Sequence, residues 1–128
     1  MSENILKAEL VRVKELSVTS PADALYSLDQ FISSGVESIG VWILKASIHF
    51  QLDQFFHAKV AFRKVLQRKP KNEIASIGLF HCLWGTEDKV EALEEMKRFF
   101  KEVGSYHQSE TADDYRSIIK GINSEQNS

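Results

Sequence analysis

The chain has 128 residues, a formal net charge of −2 and 43% apolar residues. That is material for one domain with a modest core, and it excludes a wholly disordered chain. The near balance of charge lacks the basic face that nucleic-acid binding requires first, and the single cysteine, Cys82, excludes an internal disulfide.

The first predicted helix pair covers about residues 4–35. Its second helix is well marked: Ser20 suits the N-cap, Pro21 the first helical position, and Asp23 completes a capping box. Ala24, Leu28, Phe31 and Ile32 then fall on one helical face, and Gly35 fits the stop. A second pair is expected over 37–70. There Ala58, Phe62, Val65 and Leu66 repeat the same face, each 34 residues on. A third pair, 72–104, repeats it again as Ala92, Met96, Phe99 and Phe100. A small residue followed by large apolar ones, recurring at a fixed period, marks a stack of helix hairpins. Alanine lets a neighbouring helix approach, and the larger side chains fill the space between helices. The first helix of the third pair has two registers. Aligned by the period, Phe80 takes a crowded small-residue position. A slip of two residues, which close packing favours, puts Gly78 there and lengthens the turn at 85–88. After Gly104 and a polar turn, Thr111 and Asp114 suggest another capping box. Tyr115, Ile118, Ile119 and Ile122 form the stripe of a capping helix over about 111–122, and 123–128 is expected to be a disordered tail.

Trp42, Ala46, Ala58, Phe62 and Pro70 stand at the spacings of the tetratricopeptide repeat, which the middle unit resembles. Leu52 to Ala58 is similar to that family's interhelix turn, and Arg68 to Asn72 to its closing turn. His49 stands where the family prefers tyrosine, Lys45 where it prefers leucine, and the first unit has Ala8 in place of the tryptophan. The resemblance implies an all-α fold of antiparallel helix pairs, stacked as a short right-handed superhelix of about three repeats plus a cap.

It also implies that the first helices of the pairs line a concave groove where ligands lie. Carried over by the period, Leu16, Phe50 and Trp84 form one ladder, Val13, Ser47 and His81 a second, and Ile43 and Ile77 a third, in which the first repeat has Glu9. These are mostly apolar. The lysine, arginine and asparagine of the family variant that grips a C-terminal carboxylate are absent from them, so an amphipathic or hydrophobic segment is the expected ligand. Three fates for the ladder stay open: an open partner groove, burial by the chain's own C-terminal helix over Trp84, and a homodimer interface.

Other chemistry is thinly represented. His49 and His57 fall on different helices, His81 and Cys82 are adjacent, and no HxxxH or CxxC spacing occurs. Cys82 reads as a packing residue. Glu87, Asp88, Glu91, Glu94 and Glu95 read as a solvated face with Lys89 and Lys97. The basic stretch Lys59, Arg63, Lys64, Arg68, Lys69 and Lys71 reads first as a solvated face, with an acidic protein partner as the alternative and RNA a distant third, since no aromatic interleaving accompanies the charge. No stretch approaches the ~20 apolar residues of a membrane span. The opening residues show no basic leader followed by an apolar run. The expectation is a cytoplasmic protein-interaction module without cofactor, a small adaptor or dedicated chaperone rather than an enzyme. An immunity-type inhibitor and a self-associating subunit are the alternatives.

Overall fold

The computed structural model describes residues 1–126 as seven α-helices, with no strand among them. They are α1 (Glu3–Thr19), α2 (Pro21–Ser33), α3 (Ile39–Gln51), α4 (Phe55–Arg68), α5 (Glu73–Gly85), α6 (Lys89–Val103) and α7 (Glu110–Gln126). The 34-residue period appears directly in the backbone. Helices α3 and α5 begin and end 34 residues apart, and α2, α4 and α6 begin at 21, 55 and 89. Caps recur as well. Ser38 accepts from Val41 N, and Asn72, one period on, accepts from Ala75 N.

The turns inside the second and third pairs are copies of each other. Asp53 and Glu87, again 34 apart, both take positive φ, at 57° and 64°. Asp53 N donates to Phe50 O and Gln54 N to His49 O; Glu87 N donates to Trp84 O and Asp88 N to Leu83 O. This is the paired bonding of a Schellman stop, usually built on glycine. Gly35 closes α2 the same way, its N–H bonding Ile32 O while Val36 N bonds Phe31 O.

Three local expectations are corrected. The Ser20–Asp23 capping box does not form: α1 runs to Thr19, and the single linking residue Ser20 sits at φ −143°, ψ 73° with no side-chain cap bond. A one-residue link leaves it no room for extended N-cap geometry. Helix α7 is capped by Ser109, whose Oγ accepts from Ala112 N, and Thr111 is a buried helical residue. The same helix continues past Ile122 to Gln126, so 123–126 are not a tail; 127 and 128 lie outside the described residues.

The third pair keeps the unslipped register. Phe80 stands where the second pair has Ala46 and is buried, its ring 5.4 Å from Tyr115 of α7 and 5.7 Å from Trp84. The aromatic pair fills the space that a small residue would close by backbone approach. Gly78 is needed for a different contact. A Cβ there would lie 2.4 Å from Cζ of Phe62, so glycine admits the α4 ring against the α5 backbone.

All twelve residues of the four recurring columns pack into or against the core. Ala24, Ala58 and Ala92 are each fully buried, and Leu28, Phe62 and Met96 nearly so. The core has two parts. The larger joins α3 to α7, and the smaller holds Val13, Ala24, Leu28, Val41 and Ile48 between α1, α2 and α3. The odd-numbered helices also pack on one another (α1 on α3, α3 on α5, α5 on α7), and among the described residues the even-numbered helices make no comparable row.

A buried polar relay ties in the last helix. Ser76 of α5 donates to Glu95 of α6 at 2.7 Å and shares a 2.8 Å hydrogen bond with the Tyr115 hydroxyl of α7. Arg98 neutralises Glu95 through bonds of 2.6 and 2.8 Å, so no member is left unpaired.

Candidate interaction groove

Along the odd-numbered row runs a cleft of about 510 Å³. Helix α1 supplies Leu10, Val11, Lys14, Ser17 and Val18. Helix α3 supplies Gly40, Ile43, Leu44, Ser47, Ile48 and Gln51, and α5 supplies Ile74. Val11 is 58% exposed, Val18 84% and Ile74 58%, while Ile43 and Leu44 form a half-buried floor. Lys14 is the one charged lining side chain, and no carboxylate lines the cleft. Apolar side chains held open to water on a concave face are the usual signature of a contact surface.

The sequence-predicted ladders divide. Ile43 and Ser47 line the cleft, with Ser47 Oγ returned to Ile43 O at 2.8 Å. Val13 is fully buried and is a core residue, not a groove residue. Leu16 packs beside it. Phe50, Ile77 and Trp84 are half-buried against the larger core. Phe50 lies edge-on to Phe55 at 5.4 Å, and the Lys89 ammonium sits 5.2 Å over Trp84. His81 is exposed, its ring edge-on to Phe80 at 5.5 Å. No continuous aromatic ladder therefore lines the groove.

For Val13 and Leu16 the cause lies in α1. Its inward stripe is Leu6, Leu10, Val13 and Leu16, which packs on Leu25, Leu28 and Leu44. Helix α1 also runs two residues beyond the periodic end at Ser17 and turns without a Schellman stop. The groove side of α1 holds Val11, Lys14 and Val18, spaced three and four apart on one helical face, with Leu10 and Ser17 beside them. That second apolar spacing was present in the sequence, as was Ile74, one period after Gly40.

Elsewhere, a second cleft of about 420 Å³ opens between α2 and α4 over α3, lined by Asp29, Trp42, Lys45, His49, Phe56, His57, Val60 and Ala61. His49 and His57 stack at 5.0 Å, and His49 Nδ1 meets Gln54 Oε1 at 2.7 Å. Burial lowers the His49 pKa, opposed by the Gln54 hydrogen bond. Among the described residues no group of three or more His, Cys, Asp or Glu side chains is placed to hold a metal. Cys82 is fully buried, and burial pushes its thiol up to about 11. His107, Ser109 and Glu73 gather between α5 and α7, but Ser109 donates to Glu73 and not to the imidazole, while its Oγ caps α7. Ser109 and His107 are therefore not a hydrogen-bonded nucleophile and imidazole base. No helix among the described residues is long and apolar enough to cross a membrane.

Comparison with protein-family models, curated proteins and solved structures finds no match to this chain.

Proposed function

We propose that the chain is a protein-interaction module of the tetratricopeptide type, an adaptor or chaperone that holds an apolar or amphipathic segment of a partner protein in the odd-row cleft. The observation that carries this reading is the exposure of Val11, Val18 and Ile74 around a carboxylate-free apolar floor. An amphipathic helix laid in such a groove gains apolar burial without leaving a charge unpaired. The repeat assignment is supported by the 34-residue recurrence of helix bounds, caps and positive-φ turns.

The test is affinity capture with the wild type and a Val11→Asp, Ile74→Asp double variant of matched melting temperature. A protein retained by the wild type and lost with the variant supports the groove. Equal recovery by both removes the groove as the working surface.

One observation favours a second reading, self-association. Leu93, Met96 and Phe100 of α6 and Ile119 and Ile122 of α7 line an open apolar cleft of about 440 Å³ at the end of the array. Mass measured at low concentration separates the two: a monomer rules out an obligate assembly, and a dimer dissociated by Ile119→Asp supports it.

A further inference from the structure

The basic stretch at 59–71 finds no use in the groove, because its helical part lies on the other row. Helix α4 carries Lys59, Arg63, Lys64 and Arg68 and no carboxylate. The arginines are occupied: Arg63 pairs with Glu91 at 2.9 Å, and Arg68 reaches the Glu37 carbonyl and, at 3.6 Å, its carboxylate. The lysines are placed differently. Lys64 sits 5.9 Å from the Trp42 ring centre and Lys59 5.3 Å from that of Phe56. Both rings line the cleft between α2 and α4. Lys45 lies on Trp42 as well, at 5.4 Å, and is held by Asp29 at 2.8 Å. That cleft therefore has aromatic walls with three ammonium groups over them and two imidazoles at its edge. Its single carboxylate, Asp29, is already engaged.

Phe56 is 64% exposed and Val60 43% exposed beside these charges. Exposed apolar surface next to uncompensated cations suits a ligand with both an apolar side chain and negative charge.

We infer that the α2–α4 cleft is a second docking surface, on the row opposite the groove, for a short acidic peptide segment anchored by one aromatic or aliphatic side chain. The anchor enters between Phe56, Val60 and Trp42, and the carboxylates meet Lys59 and Lys64. The charge pattern favours a peptide over nucleic acid. A phosphate track needs a run of available cations, whereas both arginines of α4 are paired and the chain carries net −2. With the groove on the odd row and this cleft on the even row, one small array can hold two segments at once.

The test is selection of a displayed random peptide library on the full chain, with selected peptides then titrated against variants by fluorescence anisotropy. One expected class is rich in Asp and Glu around a single Phe, Trp or Leu. Its affinity should fall about tenfold or more in Phe56→Ala and in Lys64→Glu, both at exposed positions, and should weaken with salt. It should be unchanged in Val11→Asp, Ile74→Asp. Three results overturn the inference: no acidic class emerges, the acidic class loses binding in the groove variant while Lys64→Glu keeps it, or a single-stranded RNA of matched length competes at equal concentration. Loss of other peptides in the groove variant bears only on the groove, so the two surfaces fail or stand separately.

Discussion

Substituting Gly78 with alanine tests the closest approach in the array. A Cβ at 78 would meet Phe62 Cζ at 2.4 Å and both Cε atoms at 2.7 Å, where ordinary carbon contacts lie near 3.5–4.0 Å. The ring has to withdraw by about 1 Å, yet Phe62 is only 3% exposed and locked into the larger core. Overpacking of this kind costs about 1–3 kcal/mol, and three ring contacts below 3.0 Å place it at the upper end. Alanine in a helix interior returns about 1 kcal/mol. The net loss is about 2 kcal/mol, measured as the urea unfolding midpoint by circular dichroism at constant m-value. Two controls make the reasoning exposed. Gly121→Ala, where an added Cβ meets nothing within 4 Å, should gain about 0.5–1 kcal/mol. In a Phe62→Leu background, which removes the offending ring atoms, Gly78→Ala should be neutral or stabilising. If Gly78→Ala alone is as stable as the wild type, α4 and α5 are not held at this distance.

Five further outcomes are expected. Glu87→Gly should raise stability by about 1 kcal/mol in urea titration, because φ of 64° is costly for a side chain other than glycine. Asp53→Gly should gain less, since Asp tolerates that region better. Tyr115→Phe should cost about 1–2 kcal/mol by removing the hydroxyl that meets Ser76, seen as a lower midpoint with unchanged helicity. Cys82 should resist a thiol reagent at pH 8 until the protein unfolds, because the thiol is buried and its pKa is about 11; rapid native labelling would refute that burial. His49 has a folded pKa below its ordinary 6.5, so the folded state binds fewer protons than the unfolded state. Its contribution is therefore complete above about pH 6.5 and is lost as pH falls below it. Between pH 7.5 and 5.5 the wild type should lose more stability than His49→Gln.

The parts of the fold that were legible in sequence are those where each unit faces the same neighbours. Ala58 lies on α4, which packs between α3 and α5, and its equivalents Ala24 and Ala92 are buried as fully as it is. A column of residues at one spacing reports that sameness directly. Where the neighbours change, the column stops being informative. Phe80 looks too large beside Ala46 until Tyr115 of α7 is in place to share its space, and that contact spans the gap between two elements with no common period. Gly78 carried a real packing signal, but its partner is a ring on α4 and not a neighbouring odd-row helix. The capping boxes failed for a similar reason: Ser20 and Thr111 have suitable side chains, but the chain path at each was set by turn length and not by the cap.

The groove depends on α1, an end helix that packs on α2 and α3. In the middle of the array α3 is fixed by helices on both sides, and Ile43 and Ser47 line the cleft as the period implies. An end helix only has to bury one stripe, and α1 buries Leu6, Leu10, Val13 and Leu16. That choice turns Val11, Lys14 and Val18 toward the groove. A terminal repeat is therefore where a periodic array most readily presents apolar side chains to water. Two valines stay exposed there around a lysine. The same freedom does not extend to α4, whose register is held by Ala58, Phe62 and Val65. On that helix only the residues between the columns can vary, and those positions carry Phe56, Lys59, Val60 and Lys64.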